Sequence, residues 1–242
     1  MRRARVAIAA ALLLVAQSSA NVVPRISIII DDLGYRLQDG RRAIELPGPL
    51  AYAILPETPG SRRLAEFANE RGKEVLLHLP LEAIGHNGPP EPGGIVLDMS
   101  RAGLRDAFAS AMDSVPFVIG VSSHRGSLLT RHPGHMGWLM EEIARREGLF
   151  FIDSYTTHQS IALRIAREAG ITATRRDVFL DHDRSPEALE REFERLKRLA
   201  RERGKAIGIG HPYPETLQML ERALQDLEKE GIELVPISQL IS

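Results

Sequence analysis

Apolar residues along the chain fall into two alternating patterns. Short runs rich in β-branched residues occupy Ile26 to Ile30, Ala51 to Leu55, Glu74 to Pro80, Phe117 to Val121, Leu149 to Ile152 and Ala206 to Gly210. Continuous apolar runs of this length predict strands buried on both faces, as in a parallel sheet covered by helices. Between them the apolar positions move to helical spacing, as Leu64, Phe67 and Ala68 do within Arg62 to Arg71. The same spacing predicts helices over Leu37 to Leu46, over a segment capped by Ser100 and running to Ser114, over Gly134 to Glu147 and over Ser160 to Ala169. A long helix is predicted from Ser185-Pro186 to Arg203, with Ser and Pro at the N-cap and N1 positions, and another from Pro214 to Glu230. Shorter strands are expected at Ile95 to Leu97, Ile171 to Thr174 and Val178 to Leu180, and Glu233-Leu234-Val235-Pro236 closes the chain. Strands alternate with helices without a break in composition, so one α/β domain is expected. The reading is a distorted (β/α) barrel of about seven or eight strands, with a doubly wound open sheet as the structural alternative.

Polar residues recur where the strands end: Asp31-Asp32, His78, His124, Asp153, Asp181 and His211. In a β/α barrel the reacting groups come from the C-terminal ends of several different strands, which accounts for such placement. Asp31 and Asp32 follow directly on the first buried run. Two carboxylates there are costly unless a metal, a cation or a proton compensates them. Strand alternation points them opposite ways, giving them different jobs; the plainer reading is a polar turn with a helix N-cap. A Gly/Pro-rich stretch from Ala83 to Gly94, carrying His86 and Glu91, follows the third strand. Its length and position suit an active-site loop rather than a linker.

Composition narrows the chemistry. With 43% hydrophobic and 26% charged residues the chain can bury a sizeable core. A formal net charge of −1 provides no global field for nucleic acid. The Arg/Glu-rich helix from Glu187 to Arg203 reads as a solvated face. Met1-Arg2-Arg3-Ala4-Arg5, the apolar run Val6 to Val15 and the small residues of Gln17-Ser18-Ser19-Ala20 have the layout of a secretory signal peptide over residues 1–20, an uncleaved anchor being the alternative. A periplasmic or secreted domain over residues 21–242 is therefore expected. The chain has no cysteine, so any metal site must use His, Asp or Glu. One carboxylate and two imidazoles would suit zinc or another divalent ion and leave coordination positions open. Such an ion lowers the pKa of bound water to roughly 7, a second carboxylate accepts the proton, and a separate histidine protonates the leaving group.

The combination of Ile29-Ile30-Asp31-Asp32-Leu33-Gly34-Tyr35, Leu79-Pro80-Leu81-Glu82-Ala83, Gly120-Val121-Ser122-Ser123-His124-Arg125-Gly126-Ser127, Phe150-Phe151-Ile152-Asp153-Ser154, Arg176-Asp177-Val178-Phe179-Leu180-Asp181 and Ile207-Gly208-Ile209-Gly210-His211-Pro212-Tyr213-Pro214-Glu215-Thr216-Leu217 resembles the divergent polysaccharide deacetylase family. That family belongs to the glycoside hydrolase/deacetylase barrel superfamily. The resemblance implies metal-dependent removal of N- or O-acetyl groups from a glycan. It makes Asp31 the base, Asp32 and His124 metal ligands and His211 the general acid, with Asp153 as an orienting group and Asp181 as a further candidate for that job. Arg125 is a candidate substrate contact. True polysaccharide deacetylases place a second metal histidine four residues after the first; here that position is Leu128. His78 is the choice for the third ligand, with Glu82 and His86 behind it.

Three functions follow in order. The first is an extracytoplasmic hydrolase of an acetylated polysaccharide or of peptidoglycan. The second, motivated by Leu128, is a barrel without turnover that binds glycan or a periplasmic partner protein. The third is metal-assisted phosphoester hydrolysis, for which Arg125, Arg175 and Arg176 are the basic groups near strand ends.

Overall fold

The computed structural model describes residues 23–85 and 88–241, so the expected signal segment 1–20 and His86 lie outside the described residues. Strands and helices alternate in the order β1 (Arg25–Leu33), α1 (Leu37–Ile44), β2 (Ala51–Ile54), α2 (Ser61–Asn69), β3 (Glu74–Leu81), α3 (Arg101–Ser114), β4 (Val118–Arg125), α4 (Pro133–Ala144), β5 (Phe150–Asp153) and α5 (Ala162–Glu168). They continue with β6 (Ala173–Arg175), β7 (Val178–Phe179), α6 (Pro186–Arg203), β8 (Lys205–Gly210), α7 (Pro214–Ala223), β9 (Glu233–Leu234) and α8 (Ile237–Ile241). Every pairing between these strands is parallel, in the order β6-β5-β4-β3-β2-β1-β8-β7. β9 pairs with the first two residues of β1. The sheet curls, and two residues of chain span its open seam. The Arg176 N–H donates to Asp153 O of β5 at 3.1 Å, and the Asp177 N–H donates to Ile207 O of β8 at 2.9 Å. This is the expected distorted barrel, closed by a crossover rather than by a β6–β7 ladder.

Side-chain alternation divides the core in two. Ile26, Ile28 and Ile30 of β1 face outward into the layer packed by the helices. Ile29 faces inward, with Ala51, Ala53, Leu76, Phe150, Ile152, Ile207 and Ile209. Ile237 and Leu240 of α8 belong to that inner cluster, so the last helix plugs the barrel's lower end. Gly120 leaves room for the Phe150 ring of the adjacent strand, since a Cβ there would stand 2.3 Å from that ring. Each isoleucine fully withdrawn from water contributes roughly 1.5–3 kcal/mol relative to an exposed one. The apolar floor thus lies directly beneath the polar strand ends.

Several bounds differ from the sequence reading, each for a local reason. β1 runs through both aspartates to Leu33 because pairing with β2 resumes at Leu33 beyond a register shift, and β4 runs on to Arg125 because His124 and Arg125 pair with Pro80 and Leu81. Ile95 forms a single bridge to Leu81 rather than a strand over Ile95 to Leu97. The helix expected to reach Glu230 ends at Ala223, and the chain then turns to Gly231, which has φ 68°. The Ser100 cap is present, its hydroxyl accepting from Gly103 N–H at 3.2 Å. Among the described residues no helix is long and apolar enough to cross a membrane.

Candidate metal centre

The two aspartates do not point opposite ways. The β1–β2 register shifts between Ile30 and Leu33, and Asp32 has φ 61°, a left-handed conformation that Asp tolerates better than most residues. The bulge turns Asp32 back toward the side that Asp31 faces. Both carboxylates consequently reach one imidazole: His78 Nε2 lies 3.6 Å from Asp31 Oδ2 and 3.1 Å from Asp32 Oδ1. The expected alternation is corrected by this bulge, which puts the pair in a single pocket.

His78 comes from β3 and His124 from β4, two residues from in-register neighbours on the paired ladder. His124 Nδ1 lies 2.9 Å from Asp32 Oδ1 and 3.2 Å from His78 Nε2. Among the described residues, Asp32, His78 and His124 are the group of ionisable side chains able to hold a metal ion. The outer nitrogens are held away from the centre. His78 Nδ1 meets Ser122 Oγ at 2.7 Å, and His124 Nε2 meets Glu91 Oε2 at 3.3 Å. When those nitrogens carry the protons, both inward nitrogens present lone pairs.

A divalent ion fits this arrangement. Ligands at 2.0–2.1 Å from a tetrahedral zinc ion stand about 3.3 Å from one another, close to the separations between these three atoms. Asp31 Oδ1 is buried and has no hydrogen-bond partner among the described residues. Unsatisfied buried carboxylate oxygens are costly in the absence of a cation or proton. A carboxylate and two imidazoles are also a donor set suited to zinc and similar ions.

Electrostatics separate the two aspartates. Burial, reinforced by Asp32, pushes the Asp31 carboxyl up, against the pull of His78 and His211. Burial would raise Asp32 as well, but His124 and His78 outweigh it and hold its carboxyl far below the usual range. Burial alone would lower His124; Asp32 and Glu91 instead raise it to about 9.

His211, after β8, stands across the pocket with Nε2 3.7 Å from Asp32 Oδ2. Its Nδ1 lies 2.8 Å from Asp181 Oδ1, and its backbone N–H donates to Asp181 Oδ2 at 2.6 Å. The Thr216 hydroxyl donates to the same Oδ2 at 2.8 Å, so Asp181 is fully engaged and its side chain fully buried. Burial would lower the His211 imidazole, but Asp181 outweighs it and raises it. A His–Asp pair of this geometry fixes the tautomer and steadies an imidazolium.

The other sequence candidates are spread around this centre. Asp153 is buried at the end of β5 but binds its own loop, accepting from Tyr155 N–H at 2.9 Å and from the Ser160 hydroxyl at 2.7 Å. It is Asp181 that holds His211. Glu82 accepts from Leu97 N–H at 2.7 Å and so pins the chain after the loop. Arg125, with φ 54°, pairs through Nε with Glu91 Oε1 at 2.9 Å. Ser122, Glu91 and Thr216 were not singled out as site residues from sequence, and Arg176 only as a basic group near a strand end for phosphoester chemistry. Ser122 was accessible to strand alternation, lying two residues before His124. Glu91 had no signal beyond its place in the Gly/Pro-rich loop. Arg176 donates to Ser154 O and Tyr155 O at 2.8 and 3.0 Å, and its charge acts on Asp31 and Asp153.

Comparison with known proteins agrees with this picture. The model of the divergent polysaccharide deacetylase family matches residues 28–241. The uncharacterized protein YibQ of Escherichia coli is 34% identical over 229 residues, covering 95% of this chain and 71% of that protein. The crystal structure of the uncharacterized protein ATU2773 from Agrobacterium tumefaciens superposes with a TM-score of 0.86 at 26% identity, covering 90% of this chain and 89% of that one. BA3943, a CE4 family pseudoenzyme from Bacillus anthracis, shares the fold at TM-score 0.54 and 14% identity, covering 90% of this chain and 66% of its own. With the family model spanning both aspartates, both ligand histidines and the His211–Asp181 pair, the chain belongs to the divergent polysaccharide deacetylase family.

Proposed function

We propose that the chain is an extracytoplasmic, zinc-dependent deacetylase that removes acetyl groups from a glycan. The observation that carries this reading is the convergence of Asp32, His78 and His124, with Asp31 on one side and the Asp181-held His211 on the other. Asp32 Oδ1, His78 Nε2 and His124 Nδ1 would hold the ion. When bound, it supplies a Lewis acid that polarises the acetyl carbonyl and acidifies water.

The remaining chemistry falls to the chain's own groups. Asp31 Oδ1 is buried and unpaired among the described residues, and its raised carboxyl suits it to take a proton from the attacking water. Water oxygen bonds to the acetyl carbon, the carbon–nitrogen or carbon–oxygen bond to the sugar breaks, and acetate leaves. His211 Nε2 gives a proton to the departing sugar nitrogen or oxygen, and Asp181 stabilises the imidazolium beforehand. The basic, apolar and small-residue layout of residues 1–20 supports a location outside the cytoplasm. Acetate release from acetylated peptidoglycan and chito-oligosaccharides is the test. Asp31→Asn should retain the metal and lose turnover. Turnover unchanged by Asp31→Asn would sink the assignment.

A second reading rests on Leu128, which stands where true deacetylases place a metal histidine. It is a barrel that binds glycan without hydrolysing it. Metal-loaded protein that binds glycans and releases no acetate from any of them would favour that reading. His78, supplied by the neighbouring strand, favours the catalytic one.

A further inference from the structure

A cleft of about 400 Å³ opens beside Asp32 and His211, between the starts of α1 and α7. Tyr35, Arg36, Arg184 and Tyr213 form its walls. Their charges are not equally free. Arg36 has Asp39 3.6 Å away, and Asp32 is engaged by His78 and His124. Arg184 has no carboxylate within ion-pair distance among the described residues; the neighbouring Asp183 accepts instead from Ser185 N–H at 2.9 Å. The Arg184 guanidinium lies over the Tyr213 ring, 4.8 Å from its centroid, and that ring lies 5.5 Å from His211's. Stacking on an aromatic face orients a guanidinium while leaving its in-plane donors available to an anion.

Two further features favour a charged sugar. Arg36 and Tyr213 are the N-cap residues of α1 and α7, and neither side chain caps its helix, so first-turn N–H groups other than the one Pro214 lacks remain for a ligand or water. Tyr35 is 56% exposed at the cleft wall, a large aromatic left open where a pyranose face can lie against it. Arg184, Tyr213 and His211 line the same cleft, with the Tyr213 ring in contact with both of the others.

We infer that this cleft is a subsite for an anionic sugar residue, carrying a carboxylate or a phosphate, beside the acetylated residue, and that Arg184 reads its charge. The inference rests on the deacetylase reading for the position of the reacting sugar. Arg184 is a specificity-determining residue in it and takes no part in the bond cleavage.

Calorimetric titration of the purified protein tests this with three probes of equal length. One is a neutral chito-oligosaccharide. The second contains N-acetylmuramic acid, whose lactyl ether carries a carboxylate, and the third is a phosphorylated chito-oligosaccharide. At low salt an anionic probe should bind at least about tenfold more tightly than the neutral one, as a charge-assisted contact requires. The gap should narrow as salt is added. Arg184→Ala should close the gap and leave neutral-probe affinity unchanged; Arg184→Lys should restore part of it. The carboxylate and phosphate arms identify the source of the charge. Equal affinity for all three probes, no binding of any, or an equal loss for all on Arg184→Ala would overturn the inference. Acetate release, scored separately, distinguishes the two failures. Charge-selective binding without acetate refutes the deacetylase and keeps the subsite, and hydrolysis indifferent to Arg184 does the reverse.

Discussion

Ser122→Ala removes one oxygen and leaves all three metal ligands in place. Ser122 is fully buried, its hydroxyl 2.7 Å from Nδ1 of a histidine that is itself 2% exposed. Water cannot replace that contact without a cavity to occupy. The free imidazole then has a buried nitrogen without a partner, at about 1–3 kcal/mol. The histidine also loses the contact that selects its tautomer and ring orientation, so the form with Nε2 lone pair inward is no longer favoured. Loss of such an outer partner weakens metal binding by about 10–100-fold, which is about 1.4–2.7 kcal/mol. Competition against a chromophoric chelator measures this directly. Ser123→Ala is the matched control: the same residue type, next along the same strand, its hydroxyl accepting from Ser154 N–H at 3.0 Å. It should lower thermal stability comparably and leave metal affinity unchanged. A Ser122→Ala affinity within twofold of wild type, or an equal affinity loss in both variants, would refute the assignment of His78 as an oriented ligand.

Two other outcomes follow from the charges. Asp181→Asn removes the main group raising His211, so the His211 titration midpoint, followed by imidazole NMR, should move to lower pH. The favourable His211–Asp181 contribution to stability is fully present below about 6.5, the pKa of an unfolded histidine, and is lost as pH rises through the folded value. Asp181→Asn should therefore flatten that segment of the stability curve; an unchanged midpoint would contradict the pairing. Asp153 has the opposite sign. Burial raises its carboxyl despite the Ser160 and Tyr155 hydrogen bonds, so native stability falls as pH rises from the unfolded value near 3.8 through the folded one. Asp153→Asn keeps the Tyr155 N–H bond through its Oδ1 and reverses the Ser160 one, its Nδ2 donating to the hydroxyl, and should be more stable than wild type at pH 7, the two curves converging below pH 3.8 in chemical denaturation.

Much of this was legible in the sequence because burial on both faces leaves a strong mark. The Ile26 to Ile30 run, the strand-end histidines and the alternation with helices placed the barrel and its reactive rim. His78 and His124 were legible for the same reason, as polar residues ending apolar strands. What escaped depends on contacts between distant segments. Asp181 and Asp153 both end strands, and only their positions in space show that Asp181 reaches His211, thirty residues on. The bulge that brings Asp31 and Asp32 into one pocket leaves no mark in an otherwise regular run. Glu91 holds His124 from within a Gly/Pro-rich loop where periodicity gives no reading. The closing helix α8, five residues long, is too short to show a period at all.

Metal binding in the deacetylase reading depends on Asp32, His78 and His124 together. Elemental analysis of the purified protein after zinc reconstitution and desalting, beside Asp32→Ala, His78→Ala and His124→Ala, tests it most directly. Wild type should hold close to one zinc per chain and each variant little. Wild type without zinc, or any of the three variants retaining wild-type content, would contradict it.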